Sequence, residues 1–173
     1  MPIVAGVGSS GSPPSWQSAI ARGNWAKAMF RGTHLTRLDD KGRLKVPAEF
    51  KRLLDERYGQ QFYITSWDGK SAKVYPMEEW EAIERKLAQL PTLNPAKDKF
   101  LKRTSYYGQT VEFDGQGRLL LPQIIRESAD LRGEVAVGGR LTHLEVANAE
   151  ALRKEVQEPF TTEDEEILGG LGI

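Results

Sequence analysis

The sequence predicts an α+β protein in which two β-β-α-β-β-α repeats form one pseudo-twofold β-barrel with helices at its periphery. Three observations predict this class. One short motif occurs twice at a fixed offset, turn signals separate alternating apolar and polar segments around each motif, and 39% of the 173 residues are apolar. A chain of this length and composition suits one compact unit or two small ones.

The composition excludes several classes of protein. The chain has 24 basic and 24 acidic residues, so its formal net charge is zero and it is no bulk polycation that coats nucleic acid. The absence of cysteine excludes a disulfide scaffold, a thiolate zinc site and a cysteine nucleophile, and it fits a reducing cytoplasm. No window approaches the roughly 18–20 apolar residues of a membrane span, so we expect no membrane partner.

Residues 1–28 are expected to form a disordered arm. Between Gly6 and Ser15 the chain consists of Gly, Ser, Pro and Val, which bury too little apolar surface to offset the entropy of ordering. The arm also lacks the basic start and the long apolar run of a signal peptide. Two alternatives stay open: residues 16–28 form a helix, or the natural chain starts at Met29.

The repeated motif surrounds two aspartates. Around Asp39 the chain reads LDDKGRLKVPAEFKRLL, and around Asp114 it reads FDGQGRLLLPQIIRESA. An ungapped offset of 75 positions, the difference between 114 and 39, aligns five identical pairs. These pairs are Asp39 with Asp114, Gly42 with Gly117, Arg43 with Arg118, Leu44 with Leu119 and Pro47 with Pro122. Such repetition indicates that one supersecondary unit occurs twice.

Each repeat is expected to contain two hairpins, each followed by a helix. Glycine-containing turns join the strands, and Pro47 and Pro122 each open a helix, where a missing N–H costs nothing. Alternating polarity predicts the second hairpin, and a helical apolar stripe predicts the helix after it. The first repeat has strands at 34–38, 43–46, 61–67 and 71–76 and helices at 47–58 and 77–90. The second has strands at 110–113, 118–121, 134–138 and 141–147 and helices at 122–131 and 148–156.

The predicted organisation places both repeats in one globule. After the arm at 1–28 come the first repeat at 33–80, linking helices at 81–108 with one helix over 95–106, the second repeat at 109–152, and a helix end with an acidic tail at 153–173. About 45 residues form a poor core alone. Two such units that share strands would close a barrel and cover the edges that either one exposes.

The residues around both motifs resemble the MraZ family. The run Met29-Phe30-Arg31-Gly32, followed by Leu38-Asp39-x-Lys41-Gly42-Arg43-Leu44-x-Val46-Pro47, is similar to the start of MraZ proteins. The second copy, Asp114-x-x-Gly117-Arg118-Leu119-Leu120-x-Pro122, matches the second Asp-x-x-x-Arg motif of that family. Tyr75-Pro76-x-x-x-Trp80 and Leu93-Asn94-Pro95 look like family landmarks between the motifs, and the resemblance covers about 29–159.

The resemblance implies two SpoVT-AbrB-type domains that make a swapped-hairpin, AbrB-like barrel. It also implies a DNA-binding transcriptional regulator, a repressor of its own division and cell-wall gene cluster, that recognises short direct repeats in double-stranded promoter DNA. Further implications are a ring-shaped homo-oligomer, association with the nucleoid in the cytoplasm, and no cofactor or small-molecule substrate. The motif arginine is linked with DNA binding in that family, which here means Arg43 and Arg118. Because Gly115-Gln116 replaces Asp40-Lys41, the second loop lacks a lysine and we expect unequal DNA contacts.

The spacing within each motif suits an arginine that an aspartate holds in place. Asp39 and Arg43 flank a tight turn, so the carboxylate can orient a guanidinium whose other donors reach a guanine edge or a phosphate. A strand hairpin is a known groove-reading element. The alternative is a loop salt bridge that only stabilises the turn, although a surface pair contributes only about 0–1 kcal/mol. The predicted DNA-binding residues are Arg43, Arg118, Asp39, Asp114, Lys41, Arg31, Arg37 and Lys45.

Charge is segregated along the chain. Residues 31–45 hold five basic and two acidic residues, 97–103 hold four basic and one acidic, and 150–173 hold seven acidic and two basic. A screening length of about 8–10 Å lets these faces act separately. The cluster at 97–103 is either a solvated helix face or a phosphate contact, and the acidic tail is either solvated or in contact with a neighbouring protomer. A ring that presents several hairpins to tandem repeats gains effective concentration.

No catalytic pattern is present in the sequence. His34 and His143 lack a carboxylate pair or ligand spacing around them, and there is no G-x-x-x-x-G-K, dinucleotide fingerprint or G-x-S-x-G motif. We therefore expect no enzyme. Two rival functions stay open: an antitoxin-like member of the same barrel superfamily, with a protein toxin as its main partner, and a structural oligomer without a ligand. Such antitoxins typically carry one barrel unit and dimerise, so the complete second copy favours the regulator.

Overall fold

The strands and turns predicted around both motifs are present in a computed structural model that describes residues 29–173, but the two strands beside each turn pair mainly with the other repeat and do not form the predicted hairpins. The prediction for the arm falls on residues outside this range. The first repeat comprises β1 (Thr33–Arg37), β2 (Arg43–Lys45), α1 (Ala48–Arg57), β3 (Gln61–Thr65), β4 (Ala72–Pro76) and α2 (Met77–Ala88). Helix α3 (Pro95–Tyr106) follows. The second comprises β5 (Gln109–Glu112), β6 (Arg118–Leu120), α4 (Gln123–Ser128), β7 (Glu134–Gly139), β8 (Leu144–Asn148) and α5 (Ala149–Glu155), and α6 (Thr162–Gly169) comes last. The predicted α+β class is confirmed.

Two helix ends differ from the prediction, and one helix is additional. Helix α4 stops at Ser128 because Asp130 adopts a φ of 51°, which a right-handed helix does not allow. Helix α2 stops at Ala88. Helix α6 was not predicted, although the capping box that Thr161 and Asp164 form is a sequence signal for a helix start.

The two repeats exchange edge strands within one antiparallel sheet. The strand order is β1-β7-β8-β4-β3-β5, so β1 of the first repeat pairs with β7 of the second, and β5 of the second pairs with β3 of the first. This exchange agrees with the prediction of one globule that shares strands. The predicted closed barrel is not observed in residues 29–173. The three-residue strands β2 and β6 pair with each other as a separate sheet, apart from one isolated bridge between Leu38 and Leu44.

A pseudo-twofold axis relates the repeats. Leu44 and Leu119, which are equivalent in the two motifs, face each other at the centre of the β2–β6 pair. At the centre of the β4–β8 pair Lys73 faces Glu145, and each is the second residue of its five-residue strand. Equivalent residues from the two repeats therefore meet along one axis in both sheets.

The core is built from equivalent residues of both repeats. Leu44 and Leu119 are 0% exposed, and so are Phe50 of α1 and Ile125 of α4, which occupy equivalent positions. Full burial of each such side chain contributes about 1.5–3 kcal/mol. Other equivalent core pairs include Val46 with Leu121, Leu54 with Ala129, and Phe62 with Val135. Because both repeats supply one core, neither repeat packs alone.

Helix α3 lies against the first repeat. Asn94 caps it by accepting hydrogen bonds from Ala96 and Lys97, and the Thr104 carbonyl accepts bonds from the Tyr63 and Thr65 hydroxyls at 3.0 and 2.7 Å. These bonds direct one face of α3 toward β3 and leave Lys99 and Lys102 exposed. Across residues 29–173, none of the helices combines the length and the apolar character that a bilayer crossing requires.

Candidate nucleic-acid interface

The first motif turn is organised by the carboxylate of Asp39. Its Oδ1 accepts the backbone N–H groups of Lys41 at 3.0 Å and Arg43 at 2.9 Å, and its Oδ2 accepts Nε of Arg43 at 2.5 Å. The Gly42 N–H donates to the Asp39 carbonyl at 3.0 Å, and Gly42 has a φ of 80°, which favours glycine. The predicted contact between Asp39 and Arg43 is confirmed.

The second motif turn has the same geometry although its loop residues differ. Asp114 Oδ1 accepts the N–H groups of Gln116 and Arg118, both at 2.9 Å, and Oδ2 accepts Nε of Arg118 at 2.8 Å. Gly117 has a φ of 72° and donates to the Asp114 carbonyl at 3.1 Å. The turn therefore depends on the shared Asp, Gly and Arg, and the intervening residues are free to vary.

Both aspartates are held in the ionised form. The backbone N–H of Arg43 contributes most to a lowered pKa of Asp39, and the Arg43 guanidinium and Lys41 N–H add to it against the effect of desolvation. The backbone N–H of Arg118 likewise contributes most to the lowered pKa of Asp114. Each carboxylate holds its arginine through Nε. The terminal nitrogens of Arg43 and Nη2 of Arg118 are left for another acceptor, while Nη1 of Arg118 faces Asp39.

Pairing of β2 with β6 brings the two motifs onto one surface. In the register Arg43 faces Leu120, and Lys45 faces Arg118. Because side chains alternate along a strand, the central leucines point into the core and these four side chains share the outer face. The turns also touch directly, since Arg118 Nη1 lies 3.7 Å from Asp39 Oδ2.

The other predicted cations divide into two groups. Lys41, in the turn, and Lys45, in β2, are exposed beside the motif arginines, and the exposed Arg37 ends β1 shortly before Asp39. Arg31 is exposed before the other end of β1. That five-residue strand separates it from the turn by roughly 17 Å at about 3.3 Å per residue. The structure therefore groups Lys41, Lys45 and Arg37 with the turns and places Arg31 apart.

Two further cations flank the turns, and no local sequence motif marks them. Arg126 of α4 packs so closely on Gly42 that a Cβ there would overlap its guanidinium, and its Nε donates to the Leu121 carbonyl at 3.0 Å. Lys51 of α1 packs near Gly117 in the same way. Positions 51 and 126 differ by the offset of 75 that relates the motifs, which is the signal that could have identified them.

Arg126 and Lys51 each pack on the turn of the opposite repeat. Each post-motif helix delivers a cation to the turn of the other repeat, so each turn has a basic neighbour from the opposite repeat. Lys51 is also paired with Asp55 at 2.5 Å and lies 4.4 Å from the centre of the Phe113 ring. Arg126 has no ion pair within the described range, which makes it the more available of the two cations.

The described histidines and acids do not assemble a metal centre. His34 lies 3.3 Å from Glu49, and His143 stacks on Tyr75 with a ring separation of 4.3 Å. Over the range 29–173, no three or more His, Asp and Glu side chains are placed together as metal ligands. The strongest functional grouping in this part of the chain is the paired motif surface.

The sequence of this chain matches a known protein family over both repeats. The family model described as "MraZ protein, putative antitoxin-like" matches residues 29–103 and 108–169, one segment for each repeat. A protein of Acidobacterium capsulatum named transcriptional regulator MraZ is 60% identical over 146 residues, which cover 84% of this chain and 100% of that protein. Its namesake in Koribacter versatilis is 58% identical over 147 residues, with 84% and 100% covered. The Escherichia coli O9:H4 protein of that name is 33% identical over 136 residues, with 78% and 90% covered. The chain belongs to the MraZ family.

Proposed function

We propose that this protein is a DNA-binding transcriptional regulator whose two Asp-x-x-x-Arg turns contact the duplex as one two-stranded element. The observation that carries the proposal is the β2–β6 pair, which buries Leu44 and Leu119 and presents Arg43, Lys45 and Arg118 on its outer face. The names of the relatives support a role in transcription.

The geometry suits a groove of DNA. The major groove, about 12 Å wide, admits a two-stranded ribbon. Asp39 and Asp114 fix the guanidinium groups through Nε, so little side-chain entropy is lost when the terminal nitrogens bind guanine O6 and N7 or a phosphate. Lys41 and Lys45 supply phosphate contacts, which position the protein without reading sequence.

The two repeats contribute unequally to this surface. The first repeat contributes Arg43, Lys41 and Lys45. The second repeat contributes Arg118, and it has Gln116 in place of Lys41 and Leu120 in place of Lys45. Leu120 is 47% exposed and can contact a thymine methyl group but not a phosphate. The first repeat therefore supplies most of the electrostatic attraction.

The regulator acts as a ring-shaped homo-oligomer and binds direct repeats in the promoter of its own division and cell-wall gene cluster. It represses this cluster and is associated with the nucleoid in the cytoplasm. The equal numbers of acidic and basic residues, 24 of each, support assembly, because one protomer attracts DNA weakly. Each further β2–β6 pair on a tandem repeat binds at a raised effective concentration. The exchange of β1 and β5 supports a swapped-hairpin arrangement of repeats 33–80 and 109–152 about the linker 81–108.

The test is gel retardation of a fragment from upstream of the protein's own gene. Arg43→Ala should reduce affinity at least tenfold and lower the slope of log affinity against log salt by about 1 if the contact is to phosphate. Arg52→Ala is the matched control, because Arg52 is exposed on α1 and paired with Glu56 at 3.4 Å. Far-UV circular dichroism should be unchanged in both variants. Full retention of the shift by Arg43→Ala would remove this residue from the contact surface.

An antitoxin-like role is the second candidate, and the family description names it. Its partner would be a protein toxin held by a tail segment, and the exposed helix α6 is such a segment. The same experiment separates the two functions. A chain whose partner is a toxin should show no preference for its upstream fragment over an unrelated fragment of equal length, in wild type and Arg43→Ala alike.

A further inference from the structure

Helix α6 is exposed over nearly its whole length within residues 29–173, and of its residues only Leu168 is half-buried. None of its residues is buried, and Ile167 is 62% exposed. Leu171, four positions later on the same side, is 73% exposed, and Phe160 just before the helix is 71% exposed. Apolar side chains thus form a stripe that nothing in residues 29–173 covers.

A helix of this length needs a partner to be stable in water. Isolated helices shorter than about 12–15 residues are marginal, and α6 has eight residues. Both ends of the helix are capped. Thr161 and Asp164 form a capping box at the start, and the Ile173 N–H donates a hydrogen bond to the Leu168 carbonyl at the end. These caps define the helix boundaries, but the stabilisation of most helices comes from packing an apolar face.

Helix α3 offers a groove that fits such a helix. Trp67, Pro95, Ala96 and Phe100 line an open groove of about 520 Å³, and Lys99 and Arg103 form its rim. The Trp67 and Phe100 rings lie 6.0 Å apart, which makes the floor aromatic. An apolar floor with a cationic rim is complementary to an acidic helix that carries an apolar stripe.

The charges of the two helices are opposite. From Glu155 to Ile173 the chain has six acidic residues and no basic one, and three of the acids lie in the first turn of α6. Helix α3 carries Lys97, Lys99, Lys102 and Arg103 with one acid, Asp98, which Lys102 neutralises at 2.7 Å. A second groove, between β1 and α5, is less suitable because its rim mixes Arg132 and Arg153 with Glu134 and Glu150.

We propose that α6 of one copy docks in the α3 groove of a second copy, with Ile167 and Leu171 on the aromatic floor and the acids on the cationic rim. The two surfaces differ, so the contact is heterologous, and repetition of a heterologous contact closes a ring when its rotation permits. This inference rests on the proposed self-association and is independent of the DNA contact. It assigns an apolar and electrostatic role to a helix that the DNA-binding surface does not use.

Light scattering on the full chain tests the contact. Wild type should have a mass several times 19.4 kDa. Ile167→Glu should give the monomer mass, because a charge on the apolar stripe cannot enter the groove. Lys99→Glu and Glu163→Lys should each weaken assembly, whereas the double variant should regain part of it. Lys86→Glu, at an exposed position of α2, and Glu81→Lys on the same helix are the matched controls and should keep the wild-type mass.

Disulfide trapping locates the contact. The chain has no cysteine, so two engineered thiols report one pair of sites without background. A mixture of Leu171→Cys protein and Ala96→Cys protein should form a covalent heterodimer under a mild oxidant, and the Leu171→Cys with Lys86→Cys mixture should not. Equal yields from both mixtures would overturn the proposed docking site.

The remaining outcomes distinguish this inference from the proposed function. An assembled Ile167→Glu variant overturns α6 docking and leaves the proposed ring intact. A monomeric wild type overturns both, whereas retardation by the motif turns is measured separately with Arg43→Ala. If Lys99→Glu weakens retardation of DNA without changing the mass, the α3 face binds phosphate and the docking proposal is wrong.

Discussion

Arg118 of the second repeat lies 3.7 Å from Asp39 of the first, while its own Asp114 holds its Nε at 2.8 Å. Asp39 also holds Arg43 at 2.5 Å, so one carboxylate contacts the guanidinium groups of both motifs. The two turns are therefore coupled through Asp39, and Asp114 has no equivalent contact with Arg43 among the ion pairs of residues 29–173.

This coupling predicts that Asp39→Asn has a larger effect than Asp114→Asn. Both changes add net positive charge, so affinity for any DNA should rise slightly, but both release a guanidinium from its fixed orientation. The affinity ratio between the upstream fragment and an unrelated fragment should fall in both variants, and it should fall further for Asp39→Asn. Competition gel retardation measures the ratio. An equal fall in the two variants would contradict a shared role for Asp39.

Gly42→Ala is expected to destabilise the protein more than Gly117→Ala. Both positions have positive φ, at 80° and 72°, and a non-glycine residue there costs about 1–2 kcal/mol of unfolding free energy. At Gly42 the added Cβ also displaces the Arg126 side chain from its hydrogen bond to the Leu121 carbonyl, whereas at Gly117 it meets only the end of the Lys51 side chain at 3.2 Å. Urea denaturation gives both values. Adding Arg126→Ala should recover the steric part of the loss at Gly42 and none of it at Gly117.

Leu120→Lys should make the second repeat resemble the first. The side chain is 47% exposed on the outer face opposite Arg43, where the equivalent residue of the first repeat is Lys45. An added phosphate contact should increase the slope of log affinity against log salt by about 0.9. Retardation over a salt series measures this slope. Leu101→Lys, on the exposed side of α3, is a control for the same charge placed elsewhere, and a matching increase there would contradict a specific role for position 120.

Lys73 and Glu145 form an ion pair on the pseudo-twofold axis, with side chains only 9% and 13% exposed. Reversal of either charge alone leaves two like charges buried together, so Lys73→Glu or Glu145→Lys should cost about 3–5 kcal/mol of unfolding free energy. Because the two positions are equivalent, the double reversal should restore at least half of that loss. Thermal denaturation tests this. No recovery in the double variant would mean that the neighbours prevent the exchange, namely Trp67, which contacts Lys73, and Arg140, which lies 3.3 Å from Glu145.

His143 should make stability depend on pH between about 4 and 6.5. Burial is the main cause that lowers the pKa of His143 from 6.5 to about 4. The charges of Lys73 and Arg140 also lower this pKa, and the charge of Glu145 opposes them. In this range the unfolded chain binds more protons at this position than the folded chain, so stability falls as pH falls from 6.5 toward 4. The expected loss is on the order of 2 kcal/mol.

His143→Phe isolates this contribution. Phenylalanine keeps a ring against Tyr75 and does not titrate, so the pH profile of the melting temperature should flatten between pH 4 and 6.5. The lowered pKa values of Asp39, Asp114 and Glu145 affect stability only near and below their ordinary values of 3.8 to 4.5, and they remain in the variant. An unchanged slope between pH 5 and 6.5 would show that His143 is not the titrating group.

Local sequence signals predict the turns and the helix starts of this protein. Gly42, Gly117 and the motif aspartates specify two turns, and Pro47 and Pro122 mark two helix starts, because these features depend on the backbone preferences of a few neighbouring residues. The ungapped offset of the motifs likewise predicted two copies of one unit. A capping box over 161–164 carried the same kind of local signal for α6.

The way in which the two copies combine depends on long-range packing. The exchange of β1 and β5, the packing of Arg126 on Gly42 and the contact of Arg118 with Asp39 join residues that are far apart in the sequence. Local preferences are nearly the same for either pairing of such strands, and the choice depends on which arrangement buries both apolar faces in one core. The predicted closed barrel is not observed in residues 29–173, where the three-residue strands β2 and β6 satisfy their hydrogen bonds with each other.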